Sequence, residues 1–117
     1  MNGRKPGPDK AALALLDPDG SFIERLRQDH ATLLTLLEAL GDGAGEKEAH
    51  LAELRRFAHR LAGAAGTFGH DDIGEAAMVV EDCLTDGAKP LPIHSIDTAL
   101  GEAGRLYALL DRALKQG

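Results

Sequence analysis

Four stretches of this chain repeat apolar residues every three or four positions, and short runs rich in Gly, Asp and Pro separate them. A period near 3.6 residues belongs to helices that bury one face, so such a chain is constrained to pack helices against one another. Phe22, Leu26, Leu33, Leu37 and Leu40 predict a first long helix over 21–40. Ser21 stands there as N-cap with Glu24 three residues on, the spacing of a capping box. GDGAG at 41–45 breaks that helix, and EKE opens the next, its acidic residues suited to a positive helix N-terminus. The second stripe is Leu51, Leu54, Ala58, Leu61, Ala65 and Phe68. A break near Gly69 precedes Asp71 and Asp72 as caps of a third helix with Ile73, Ala76, Ala77, Val80 and Leu84 on one face. After DGAKPLP at 86–92, a last helix over roughly 95–115 carries Ile96, Ala99, Ala103, Leu106, Leu110 and Ala113.

No strand pattern competes with these segments, and the fold they predict is all-α, an antiparallel up-and-down four-helix bundle. Composition agrees: apolar residues make up 44% of the chain but aromatics only 3%, so the core must come from Leu, Ala, Ile and Val. The apolar run AALALL at 11–16 predicts a short extra N-terminal helix, stopped by DPDG at 17–20. MNGRKPGP at 1–8 has too little apolar surface to bury and reads as a disordered lead-in, which leaves 9–117 for the bundle domain. A chain of 117 residues suffices for one core.

The net charge of −6 argues against non-specific binding to nucleic acid or an anionic membrane, both of which rely on clustered Lys and Arg. The single cysteine, Cys83, excludes an internal disulfide and reads as a small apolar residue beside the third stripe. No apolar run long enough to span a membrane appears, nor the apolar centre of a signal peptide, so the expectation is a soluble, cytoplasmic monomer with protein partners.

HRLAGAAGTFG at 59–69 departs from the helix-building logic of the rest. A glycine inside a helix costs roughly 1 kcal/mol relative to alanine, yet Gly63 and Gly66 both fall within the second stripe's helix. His59 lies about 140° around the helix from the centre of that stripe and therefore faces solvent. Gly63 and Gly66 follow it on the outward strip, with Ala52 and Arg55 on the preceding turns. Small residues there serve no core, but they let another molecule approach the imidazole closely. An imidazole with an ordinary pKa of about 6.5 is largely neutral near pH 7, so an exposed ring can act as a nucleophile without an elaborate activating neighbour. The plain alternative is an ordinary surface histidine with tolerated glycines.

These residues resemble the signature of histidine-containing phosphotransfer (HPt) domains: His59, Leu61, Gly63, Ala64, Ala65 and Gly69, continued by Ile73, Ala77 and the pair Val80 and Glu81. The resemblance implies that His59 carries a phosphoryl group at Nε2 and exchanges it with the aspartate of a receiver domain. Response-regulator receivers and a hybrid histidine kinase would be its partners. No cofactor of its own is expected, Mg²⁺ being supplied on the partner receiver. Ala62 stands where many members of that family have a lysine. Arg55, Arg56 and Arg60 are the remaining nearby cations, the first two closer to His59 around the helix. Their default reading is a solvated charged face; with Gly63, Gly66 and Ala62 they are the candidates for partner docking and electrostatic support.

Two rivals stand beside the phosphocarrier. One is an adaptor that keeps the same fold and binds signalling partners non-covalently. The other is an enzyme using His59 as general base, which requires a cleft and a second polar group aimed at the ring. The small-residue surroundings in sequence supply neither. No phosphate loop is present, since GAAG at 63–66 lies within a helix and lacks the lysine of a nucleotide site. DPDG lacks the ligand spacing of a calcium loop. His30 at the first stripe's edge, His50 near the start of the second helix, His70 at a break and His94 in a loop show no metal-ligand pairing and read as surface or core-edge residues. Met78 and Val79 project away from the third stripe, either as an apolar part of a docking surface or partly buried in the bundle. The initial Met followed by a lead-in points to a free-standing protein.

Overall fold

The computed structural model describes residues 19–42, 46–85 and 91–116. The lead-in, the short helix expected at 11–16 and most of the 86–92 loop lie outside these residues. Among the described residues four helices form: α1 (Ser21–Asp42), α2 (Lys47–Thr67), α3 (Asp71–Leu84) and α4 (Ile93–Gln116). Each packs on its neighbours in a closed ring, α1 on α2, α2 on α3, α3 on α4 and α4 back on α1. Helices with one apolar stripe reach this arrangement because all four stripes then meet along one axis.

The core is aliphatic, as composition requires. Leu26, Leu33, Leu54, Leu61, Ile73, Val80, Leu106 and Leu110 are its largest fully buried side chains. All five residues of the α3 stripe are buried, and on α2 only Phe68 remains partly exposed. Phe57 is buried as well, although it lies outside the predicted stripe. On α1 the predicted face turns slightly at its end: Leu36 is buried, whereas Leu37 and Leu40 are partly buried against the core. Phe22 stacks on Phe68 with ring centroids 4.3 Å apart, closing one end of the α1/α2 seam.

Helix ends differ from the sequence reading by a residue or two, and hydrogen bonding explains how. Gly20, at φ +73°, takes the position expected for Ser21, because its carbonyl already accepts the Glu24 amide at 3.1 Å. Asp19 Oδ1 accepts from the Ser21 amide at 3.0 Å. The capping box does not form; Glu24 instead pairs with Arg27 at 3.0 Å. At α3 the N-cap is His70, so Asp71 and Asp72 are the first helical residues, where their charge faces the positive helix end. α1 continues through Gly41 and Asp42, and α4 begins early enough to place His94 in its first turn rather than in a loop.

Three residues join α2 to α3, and the turn between them is closed by paired hydrogen bonds. The His70 amide donates to the Ala65 carbonyl at 2.9 Å and the Gly69 amide to Gly66 at 3.3 Å. This is a Schellman motif, and Gly69 at φ +82° supplies the left-handed residue it requires. The chain reverses there. Gly74 faces Ala62 and Gly66 while Glu81 reaches His59, so advancing along α3 retreats along α2.

Candidate functional site

The antiparallel register of α2 and α3 builds the site. Gly74 brings the helices together: a Cβ built there would lie 3.5 Å from the Ala62 carbonyl and 3.7 Å from the Gly66 nitrogen. An alanine would fit in ordinary contact, and anything longer would push the helices apart. Two turns further along α3, seven residues on and so on the same face, stands Glu81. Its Oε2 lies 2.7 Å from His59 Nδ1. The His59 side chain is 71% exposed and that of Glu81 22%.

An ionised carboxylate offers only acceptors, so this contact places the ring proton on Nδ1, with Nδ1–H donating to Glu81. The lone pair then resides on Nε2 of an exposed ring. The expectation that no second polar group is aimed at the imidazole is therefore corrected. The two partners are 22 positions apart in sequence and meet only because α3 folds back along α2. The signal available beforehand was an acidic residue next to buried Val80 at a spacing of seven from Gly74.

Arg55, Arg56, His59, Arg60 and Glu81 line a shallow open depression of about 340 Å³. The structure thus places all three arginines beside the histidine, on a face open to solvent. Arg55 is half-buried, while Arg56 and Arg60 are exposed. Three guanidinium groups against one carboxylate make the depression a favourable place for an anion. On the other side of His59 the helix surface carries no charge. A Cβ built at Gly63 or at Gly66 would meet nothing within 4 Å, so no packing among the described residues requires either glycine. Ala62 is half-buried at the α2/α3 seam rather than on the bare strip. Met78 and Val79 are exposed rather than buried in the bundle.

The other histidines do not join the site. His30 on α1 stacks on Tyr107 of α4 with centroids 4.4 Å apart. His50 is half-buried and His94 exposed. His70 is buried at the α2/α3 turn, tilted against Phe22 with ring centroids 5.5 Å apart, and is thus more enclosed than a core-edge residue. Cys83 is half-buried against the core, as its place beside the α3 stripe predicts. Among the described residues no group of three or more His, Cys, Asp or Glu side chains converges in a way that could hold a metal ion.

Over residues 20–116, from the start of α1 to the end of α4, the chain matches the model of the Hpt domain family. It belongs to the Hpt family. No curated protein and no solved structure matches the chain. As an Hpt domain it has a place in phosphorelay signalling, as a phosphocarrier and not as an enzyme with an ATP site of its own. Hpt domains typically interact with receiver domains and histidine kinases. No helix among the described residues is long and apolar enough to cross a membrane.

Proposed function

We propose that this Hpt domain carries a phosphoryl group on His59 Nε2, accepting it from the aspartate of one receiver domain and passing it to that of another. The observation that carries this reading is the 2.7 Å contact between His59 Nδ1 and Glu81 on an otherwise exposed ring. In the accepting step the Nε2 lone pair attacks phosphorus, the N–P bond forms, and the acyl O–P bond breaks to release the receiver carboxylate. The ring becomes cationic as it reacts. Glu81 holds the proton on Nδ1 and sets a negative charge beside that developing positive one. The onward step is the reverse, with the imidazole as leaving group and its Nδ1–H still bonded to Glu81.

Arg55, Arg56 and Arg60 face the incoming phosphoryl oxygens, and phosphoryl transfer depends mainly on such positioning and charge stabilisation. Mg²⁺ belongs in this scheme to the receiver, which also supplies the reacting aspartate. The uncharged strip at Gly63 and Gly66 lets the partner's surface come close, with Met78 as an apolar contact at its edge. Small side chains there cost helix stability that nothing inside the bundle returns, which is what a docking surface explains.

The test is phosphoryl transfer from a phosphorylated receiver domain to the protein and to its His59→Gln variant. The expected result is an acid-labile, base-stable label on the wild type and none on the variant. A folded protein that takes no label from any of several receivers would be a non-covalent adaptor instead.

A further inference from the structure

Cations are treated differently in two parts of this chain. Among the described residues Arg25, Arg27, Arg105 and Lys115 each pair with a carboxylate on their own helix, whereas Arg55, Arg56 and Arg60 form no ion pair. These three line the depression beside His59, and its one carboxylate, Glu81, is engaged by Nδ1 at 2.7 Å. In a chain with 13 basic and 19 acidic residues, guanidinium groups gathered without partners are free to take an anion from outside. The depression is open, with a volume of about 340 Å³, and the His59 side chain is 71% exposed, so a small molecule can reach Nε2. The same lining restricts the leaving group. Arginine does not release a proton near neutral pH, and Glu81 accepts the Nδ1 proton, so the depression holds no general acid. A phosphate ester would leave as an alkoxide that has to be protonated, whereas an acyl phosphate leaves as a carboxylate, which is stable without a proton.

We propose that His59 also accepts a phosphoryl group directly from a small acyl phosphate, with Arg55, Arg56 and Arg60 holding the phosphoryl oxygens. The inference rests on the phosphocarrier reading above and adds a second class of donor to it. The Nε2 lone pair attacks phosphorus, the N–P bond forms, and the acyl O–P bond breaks with its electron pair to release the carboxylate. The ring keeps its Nδ1 proton on Glu81, and no other proton moves. The bond that breaks is of the same kind as in a receiver's aspartyl phosphate. The arginines supply the positive charge that Mg²⁺ on the receiver supplies in transfer between proteins. Such a carrier is charged without a kinase.

The experiment incubates the full chain with acetyl phosphate in the presence of a metal chelator and follows phosphohistidine by phosphorus NMR. The expected result is one acid-labile, base-stable phosphohistidine on the wild type and none on His59→Gln, whose four remaining histidines report the unassisted reaction of an imidazole. The double variant Arg56→Gln/Arg60→Gln, altered only at exposed positions, should take label at least about tenfold more slowly, the scale of one lost charge-assisted hydrogen bond. Its urea midpoint verifies that it is folded. Equal rates in the wild type and the folded double variant overturn the proposal, as does a reaction that stops when the chelator is added or a label spread over the other histidines. A wild type that takes label from a phosphorylated receiver and none from acetyl phosphate also overturns it, while leaving the carrier reading intact. A wild type labelled by neither donor overturns both.

Discussion

His59 and His30 each face a carboxylate across a helix seam, Glu81 Oε2 at 2.7 Å from Nδ1 in one case and Asp111 Oδ1 at 3.3 Å from Nε2 in the other. Three differences separate them. The His30 side chain is only 23% exposed and is covered by Tyr107, whereas His59 projects from a strip of helix without side chains at Gly63 and Gly66. Asp111 is shared with Lys115, whose Nζ lies 2.9 Å from Oδ2, whereas among the described residues no Lys or Arg ion pair at Glu81 joins its contact with His59. At His30 the carboxylate faces Nε2 without making a hydrogen bond; at His59 it binds Nδ1 and leaves Nε2 uncovered. Two histidines beside acids thus differ in which nitrogen is engaged and in what covers the other, and only His59 has the geometry that the proposed nucleophile needs.

The comparison can be broken most severely at the rings themselves. His59→Gln should abolish the acid-labile label, whereas His30→Gln should retain it, as read by transfer from a phosphorylated receiver. Loss of label in a folded His30→Gln protein would erase the distinction. Next come the carboxylates. Glu81→Ala should slow transfer at least about tenfold, the worth of one charge-assisted hydrogen bond of roughly 1.5 kcal/mol felt as the ring becomes cationic. Asp111→Asn should leave the transfer rate unchanged in the same rapid-quench assay.

The glycines sharpen the contrast in covering. Gly63→Ala and Gly66→Ala should each stabilise the protein by up to about 1 kcal/mol in urea unfolding, since a Cβ meets nothing there. Both should slow transfer by holding the partner off. Gly69→Ala should act in the opposite direction, destabilising by about 1–2 kcal/mol, because its φ of +82° is strained for any residue with a Cβ. A Gly63→Ala protein that transfers at the wild-type rate would remove the bare strip from the docking surface.

The smallest expected effect is the pH dependence of the His30 side. The hydrogen bond from Lys115 holds the Asp111 carboxyl below its ordinary value of 3.8 against the opposing effect of desolvation, with the charges of Lys115 and His30 adding to the lowering. A carboxyl lowered in the folded state contributes stability above its ordinary value and loses it as pH falls through the lowered one. Lys115 is raised above its ordinary 10.5, chiefly by the hydrogen bond to Asp111, so its part is present below that value and lost as pH rises through the raised one. Asp29 runs opposite to Asp111: raised by burial, it costs stability once ionised. Thermal unfolding between acid and neutral pH should therefore show a shallower acid limb in Asp111→Asn and a steeper one in Asp29→Asn.

Much of the bundle was legible in the sequence because helical period is local. The stripes of α2, α3 and α4 name nearly all of the core on those helices, and Leu36 and Phe57 were missed because small rotations of a helix about its axis are set by its neighbours. The capping at Gly20 and His70 was misread by one residue, since Ser21, Asp71 and Asp72 are all competent caps and only the path of the chain chooses among the positions. His59, Gly63 and Gly66 were legible as an anomaly, an exposed histidine followed by glycines the helix does not want. Glu81 was legible as an acidic residue in a pattern, not as the partner of Nδ1.

By itself, then, the sequence determined four amphipathic helices, an aliphatic core and an exposed histidine on a bare strip, all of which follow from the periodicity of a single chain segment. The tertiary structure decided which nitrogen of His59 carries the proton and which arginines lie beside it. Those are relations between helices. They depend on the α2/α3 register fixed by the turn at Gly69, and no local pattern encodes the distance between side chains that meet only after the chain has folded back on itself.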